Sequence, residues 1–304
     1  MCDMILDRPI IGIAFMLGFC VFAPMGDAAA KSIALATPLL VLLLARYLTQ
    51  WLLPLPLILT SRRTLKMTPK VARIILARSV VHIAGVAMMF SAYRYLPLAD
   101  ALAIAFVFPF IMLVMGKVFL DEQVGIRRLG ACIVGFLGTL LIIQPSFAVV
   151  GLPALLPLVV AFLFALLVLL TRQIAKDYDP VCLQSASGLI SAVILMLAWA
   201  MTRHLQIFDL QLIMPTSGQM QTLVLVGVFG TLAHLGMTYA VRFAPSATLA
   251  PMQYIELPIA TAIGWMMFSE LPNGLAAVGI TITVLAGLAV IYFEHRALAR
   301  EAHG

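Results

Sequence analysis

Residues 94–122 read RYLPLADALAIAFVFPFIMLVMGKVFLDE, and residues 242–270 read RFAPSATLAPMQYIELPIATAIGWMMFSE. Laid over one another at an offset of 148, Arg94 meets Arg242, Pro97 meets Pro245, Ala99 meets Ala247 and Glu122 meets Glu270. Each stretch opens on a basic residue and a proline, which suits the first turn of a helix because its missing N–H would be unpaired there anyway. Each continues as a long apolar run without period-two alternation, the pattern of a membrane-crossing helix and not of a barrel strand. An apolar chain that repeats itself at half its length is expected to be a transporter built from two structural halves.

The composition agrees. Of 304 residues, 63% are apolar and 11% charged, with a mean hydropathy of +1.10. A soluble domain could not hide that much apolar surface, so lipid is the solvent for most of the chain. Apolar stretches lie near 9–27, 33–57, 70–93, 97–119, 127–144, 151–172, 180–201, 219–242, 246–268 and 272–293. Each is close to the roughly 20 residues that cross about 30 Å of hydrocarbon. The fold expected is an all-α integral membrane protein with ten transmembrane helices. Residues 1–147 form the first repeat, 148–296 the second, and 297–304 a short polar tail. The first stretch imitates a secretory signal, with Arg8 before the apolar run and Ala28, Ala29 and Ala30 after it. Asp3 and Asp7 leave that leader without a basic character, and the repeat needs five helices before the midpoint, so the helix is expected to be retained.

Basic residues set the orientation. With the N-terminus inside, the inner segments hold Arg8, Arg62, Arg63, Lys66, Lys70, Arg73, Lys117, Arg127, Arg128, Arg172, Lys176, Arg242, Arg296 and Arg300, against Lys31, Arg94 and Arg203 outside. By the positive-inside rule both termini are cytoplasmic and the protein sits in the inner membrane. This asymmetry also accounts for the net charge of +6 without nucleic acid as a partner. An offset of five spans is odd, so the second half is inverted and the fold is a 5+5 inverted-topology repeat. Ala131, Gly135 and Thr139 match Gly279, Thr283 and Gly287 in the same register, and small residues every four positions let helix backbones approach closely. Cys2, Cys20, Cys132 and Cys182 are scattered without a CxxC motif. They are read as buried small apolar residues, with neither metal nor cofactor expected.

Three segments then carry a resemblance. AYRYLPLADALAIAFVFPF, FLDEQVGIRRLGACIVGFLGTLLIIQP and YAVRFAPSATLAPMQYIELPIATAIGWMMFSELP resemble the paired EamA-type halves of the drug/metabolite transporter superfamily, over nearly the whole chain. GDAAAKSIALATP followed by Arg46 is similar to the branch of S-adenosylmethionine and riboflavin uptake carriers. The resemblance implies ten helices in a five-plus-five inverted repeat and leaves the cargo open. It also matches Glu122 and Glu270 to the acid at the end of the family's fourth helix in each half, read as holding the short turn to the next helix.

Ionisable side chains inside a bilayer cost several kcal/mol unless paired or wetted, so each is a functional candidate. Glu256 lies ten residues into its span, about 15 Å deep, with Gln253 one turn back and Tyr254 beside it in sequence. A carboxyl group removed from water keeps its proton closer to neutral pH, the property of a proton-coupling group. The alternative is a structural ion pair. His82 shares a helix face with Arg78 and Gly85, and the glycine leaves room beside the imidazole. His82 either lines a wet cavity or bonds a neighbouring helix, and Arg78 is near enough to the boundary to snorkel. Thr231, His234 and Thr238 form a polar stripe on one helix, and Arg46 lies near mid-span before Thr49 and Gln50. Arginine keeps its charge, so Arg46 needs a carboxylate or an anionic substrate group, with Glu256 a candidate partner. Asp100, after Pro97, reads as a helix-start residue favoured by the dipole. Phe106, Phe108, Phe110, Phe162 and Phe164 read as lipid-facing or packing rings, one or two of which could wall a ring-bearing substrate.

The function expected is a secondary carrier of a small anionic or zwitterionic metabolite, working by alternating access and coupled to protons. Glu256, His82, His234, Arg46, Arg78, Gln253 and Tyr254 are the candidate substrate or coupling residues. The arginines would make the cavity net cationic. No P-loop is present. An intramembrane lipid-modifying enzyme would need acid–base pairs or metal clusters that are not seen in the sequence. A sensor or assembly subunit would gain little from charges at the midplane.

Overall fold

A backbone in hydrocarbon must satisfy its own N–H and C=O groups, so long apolar runs become helices. The computed structural model describes the backbone of residues 9–120, 126–244, 249–272 and 274–301, and it contains no strand among them. In order, the helices are α1 (Pro9–Ile33), α2 (Leu39–Leu52), α3 (Leu55–Thr60), α4 (Pro69–Ala92), α5 (Leu98–Ala105) and α6 (Phe108–Leu120). There follow α7 (Ile126–Val150), α8 (Leu156–Ile174), α9 (Pro180–Thr202), α10 (Ser217–Phe243), α11 (Glu256–Phe268) and α12 (Gly274–Glu301). Among the described residues, six helical stretches are long and apolar enough to cross a membrane, from Ile10–Ile33 to Ser217–Phe243. Glu122, Pro245 and Ala247, which the repeat invoked, and Cys2 lie outside the described residues.

Two spans expected to be continuous are broken. The run 97–119 is divided between α5 and α6, and the run 246–268 between a 3-10 segment, Ala250–Ile255, and α11. Pro109 withholds an N–H from the carbonyl of Ala105, and Pro258 from that of Tyr254, so each break coincides with a lost ladder bond. The two breaks are 148 residues apart in sequence and adjacent in space, with the rings of Phe106 and Tyr254 5.7 Å apart.

Packing pairs α1 with α10 and α8 with α4, α6 with α8 and α1 with α11, α2 with α9, and α7 with α12. Glycine permits the closest of these approaches. A Cβ on Gly188 of α9 would come within 2.5 Å of Trp51 N, at the end of α2.

The bundle has two polar faces. On one, Lys31 Nζ pairs with Glu270 Oε2 at 2.8 Å, and Arg94 holds both Asp209 oxygens at 2.7 Å while donating to the Ala34 carbonyl. On the other, Arg63 pairs with Asp179 at 2.6 Å, and Asp179 caps α9 by accepting from Val181 N and Cys182 N. Arg242 donates there to the Tyr178 carbonyl, and Arg172 to those of Val241 and Ala244. These are the Arg94 face and the Arg63 face below.

At the start of α5 the N-cap is Pro97, which makes no side-chain bond, and Asp100 lies buried in the first turn, the helix-start position expected of it. The Leu98 N–H donates instead to Glu270 Oε2 at 3.1 Å. Glu270 thus reaches across the sequence to α1 and α5, where the resemblance implied a hold on its own turn.

Candidate functional site

The breaks in α5/α6 and at Glu256 open onto a cavity of about 120 Å³, several times the volume that holds one water molecule. Its wall draws on α1, α2, α4, α5, α6, α8, α10 and α11. Five ionisable side chains reach it: Asp27, Arg46, His82, His234 and Glu256. Gly85 lines it beside His82, with the nearest atom to a built Cβ being Leu163 Cβ at 3.7 Å, so the space foreseen next to the imidazole is there.

The histidines meet. His82 Nε2 and His234 Nε2 are 3.3 Å apart, a hydrogen bond in which one ring donates and the other accepts. Their Nδ1 atoms have no protein partner. Aromatic rings enclose the pair: Tyr47 stands edge-on to His82, and Phe19 and Phe164 edge-on to His234. Phe108 packs perpendicular to Phe164 at 5.0 Å. Of the rings singled out in the sequence, Phe106, Phe108 and Phe164 therefore wall the cavity, whereas Phe162 is exposed and Phe110 stacks on Phe136.

Arg46 is 5% exposed, and its Nη2 donates to the Gly230 carbonyl at 3.4 Å while Nη1 has no protein partner. Glycine leaves room for this placement, since a Cβ on Gly230 would lie 1.3 Å from Nη1 and displace the guanidinium. Neither Asp27 nor Glu256 forms an ion pair with Arg46 among the described residues, and of the two it is Asp27 that bears on it electrostatically. Glu256 is buried and interacts electrostatically with Asp27, Cys20 and Tyr93, and the Tyr93 hydroxyl lies beside Asp27. Two carboxyl groups thus reach the cavity beside one guanidinium, where the sequence placed two arginines and one acid.

That balance also changes because Arg78 is not in the wall. It neither snorkels nor lines the cavity, but is fully buried and donates to Thr171 and Ser187 on the Arg63 side of His82. Thr231 and Thr238 turn their hydroxyls back to carbonyls of their own helix, leaving His234 as the member of that stripe facing the cavity. Gln253 is buried and donates to the Met16 sulfur, and the Tyr254 ring packs on Phe106 outside the wall. Cys20 and Cys182 are buried free thiols, as expected.

Asp27 was missed. The first span was placed at 9–27, which left this acid at a helix end beside water. Helix α1 runs on to Ile33, so Asp27 lies two turns inside. The usable signal was Lys31 one turn on, which marks where the span meets the polar boundary.

Comparisons with known proteins accord with this geometry. A solved protein structure, 16% identical, superposes over 96% of this chain and 99% of its own with a TM-score of 0.71. A riboflavin transporter of Rhizobium johnstonii is 27% identical over 73% of this chain and 70% of its own length. An S-adenosylmethionine uptake transporter of Rickettsia felis is 23% identical over 67% of each, and the pseudopaline exporter CntI of Pseudomonas aeruginosa is 26% identical over 71% of this chain and 74% of its own. The EamA-like transporter family matches twice, at residues 10–144 and 151–293. With both stretches matched, the chain belongs to the EamA-like transporter family, within the drug/metabolite transporters.

Proposed function

We propose that this small-molecule transporter is a secondary carrier of a zwitterionic, ring-bearing metabolite, with its binding site in the central cavity. The observation that carries the reading is the cavity wall, which brings Asp27, Arg46 and Glu256 together with a box of Phe19, Phe106, Phe108 and Phe164. Arg46 Nη1 offers a donor to a carboxylate, and Glu256 or Asp27 accepts from an ammonium. The aromatic box stacks a planar ring. Of the solutes named for the relatives, S-adenosylmethionine combines these features, and riboflavin supplies the ring.

The ten spans are read as two inverted halves, 1–147 and 148–296, with both termini cytoplasmic and the Arg63 face inside. Three observations support this. The family matches two stretches of similar length. The packing pairs exchange with one another when α1, α4 and α6 are swapped for α8, α10 and α11. Arg94 and Arg242 each bind a carbonyl of the loop joining the first two long helices of their own half, at opposite faces. Rocking of one half against the other would expose the cavity alternately to each side. Glu256, which pairs with no arginine or lysine among the described residues, takes the role of proton-exchanging group, with Asp27 as its neighbour.

Flux into proteoliposomes tests the proposal. Purified protein should move labelled S-adenosylmethionine or riboflavin saturably, faster with an imposed proton gradient. Chemical conversion of the solute without accumulation would mean an enzyme. No flux of either, or of amino-acid-bearing solutes at large, would defeat the carrier reading.

A further inference from the structure

Between the cavity and the Arg63 face lies a second cation that the carrier mechanism does not use. Arg78 is 0% exposed. Its Nε donates to Thr171 Oγ1 of α8 and its Nη1 to Ser187 Oγ of α9, each at 2.8 Å, while Nη2 has no protein partner. The ionisable side chains that its charge acts on are Tyr47, His82 and His234, and none of these carries a carboxylate. No carboxylate forms an ion pair with Arg78 among the described residues, and Asp179 on the same side pairs with Arg63. Tyr47 is also fully buried, and its hydroxyl too has no protein partner.

A buried cation is costly without a counter-charge, and a buried donor without an acceptor adds to that cost. Here an N–H and an O–H are both left over, Arg78 lying one turn before His82 on α4 and Tyr47 standing edge-on to that same imidazole, while the Thr171 hydroxyl that accepts from Arg78 donates its own proton to the Leu167 carbonyl. The group that resolves both deficits is a small monovalent anion, accepting from Arg78 Nη2 and Tyr47 Oη. We propose that Arg78 and Tyr47 form an anion site on the cavity's Arg63 side, separate from the substrate cavity. Its ligand is either a free halide or a carboxylate carried by the solute as it passes. The site stands whether or not the solute is the one proposed above.

The test is thermal unfolding of the purified full chain in detergent, with sodium chloride or sodium acetate replacing sodium gluconate at constant ionic strength. A ligand that binds the folded state raises Tm by mass action. The wild type should show a saturable rise of a few degrees. Arg78→Gln should abolish it, Tyr47→Phe should shift saturation to higher concentration, and Arg78→Lys should retain it in part. Stabilisation by chloride identifies a free-ion site, and stabilisation by acetate alone a solute carboxylate. A Tm indifferent to both anions would overturn the proposal, as would an equal rise in Arg78→Gln. If Arg78→Gln does not fold, the Tyr47→Phe titration decides: an unchanged midpoint overturns the site.

Discussion

Replacing Gly230 by alanine separates the cavity's function from the bundle's stability. The new Cβ would lie 1.3 Å from Arg46 Nη1 and 2.2 Å from Cζ, so the guanidinium must retreat by roughly 2 Å to reach ordinary van der Waals distance. It is the far end of a flexible side chain, and the space open to it is the cavity. The move breaks the 3.4 Å bond to the Gly230 carbonyl; a bond to a charged group contributes about 1.5–3 kcal/mol at good geometry, and this one is long. Alanine returns about 1 kcal/mol of helix propensity. The net loss is about 1 kcal/mol, a Tm change of a few degrees. Transport should suffer far more, by at least about tenfold, because Arg46 would occupy the substrate's place. Gly188→Ala is the opposite case. Its Cβ would meet backbone atoms, Trp51 N at 2.5 Å and Gln50 C at 2.8 Å, which cannot swing aside, so α2 and α9 must part. Overpacking of that kind costs about 1–3 kcal/mol or more. Gly18→Ala, with nothing within 4 Å of its Cβ, is the control for both. Tm in detergent and initial uptake rates in proteoliposomes are the measurements. Wild-type uptake by Gly230→Ala would refute the placement of Arg46 against the cavity.

The other predictions concern charge and ring. Glu256→Gln should abolish proton-driven uptake yet keep solute exchange at equal pH, and pH-dependent flux unchanged from wild type would remove Glu256 from coupling. Phe164→Leu takes one ring from between Phe19, Phe108 and His234. Ring contacts contribute about 0.5–1.5 kcal/mol, so KM for a ring-bearing solute should rise roughly three- to tenfold with kcat preserved. At the Arg94 face, the hydrogen bonds from Arg94 hold the Asp209 carboxyl below the usual carboxylate range. Its contribution to stability is therefore complete above about pH 3.9, the unfolded value, and lost as pH falls through the folded value. Asp209 is 36% exposed, and exposed pairs contribute at most about 1 kcal/mol. Below pH 4 the wild type should lose a small increment of Tm that Asp209→Asn does not lose, and parallel Tm profiles for the two would contradict a stabilising Arg94–Asp209 pair.

Much of this architecture was legible because lipid makes it so. Length and apolarity dictate helices, and an offset of 148 tied Arg94 to Arg242 before either was seen to bind a loop carbonyl. Glu256, His82, His234 and Arg46 were legible for the same reason, since a charge or imidazole at mid-span demands an explanation. Direction around the helix was not. Arg78 and His82 share a face by spacing, yet one turn along the axis moves a side chain from a cavity wall to a hydroxyl-lined layer. Asp27 was lost to a boundary error of six residues, and with it the carboxyl group whose charge bears on Arg46. Partner choice between two acids on different helices depends on packing, which one sequence does not encode. The helix breaks were hinted at by Pro109 and Pro258, but proline alone does not distinguish a kink from an interruption.

Those breaks explain why a repeated scaffold can carry an unrepeated site. At the offset of 148, Phe106 corresponds to Tyr254 and Phe108 to Glu256. The first pair has kept its aromatic character and meets ring to ring at 5.7 Å, closing the joint between the two interrupted helices. The second pair has diverged, and both members face the cavity. On the proposed rocking of the halves, strain would pass through this joint, which favours two matched rings. A solute held as proposed would meet both Phe108 and Glu256, which favours a molecule with one flat apolar end and one charged end. In that reading duplication would supply the hinge, and the difference two residues further on the specificity. Exchanging the pair, as Phe108→Glu with Glu256→Phe, keeps the composition of the cavity and reverses its polarity. If the two ends of the solute are read as argued, this double variant should fold, bind the solute more weakly than wild type and lose proton coupling. Full retention of coupling after the exchange would show that the carboxyl's position within the cavity is immaterial and would undo this account of specificity.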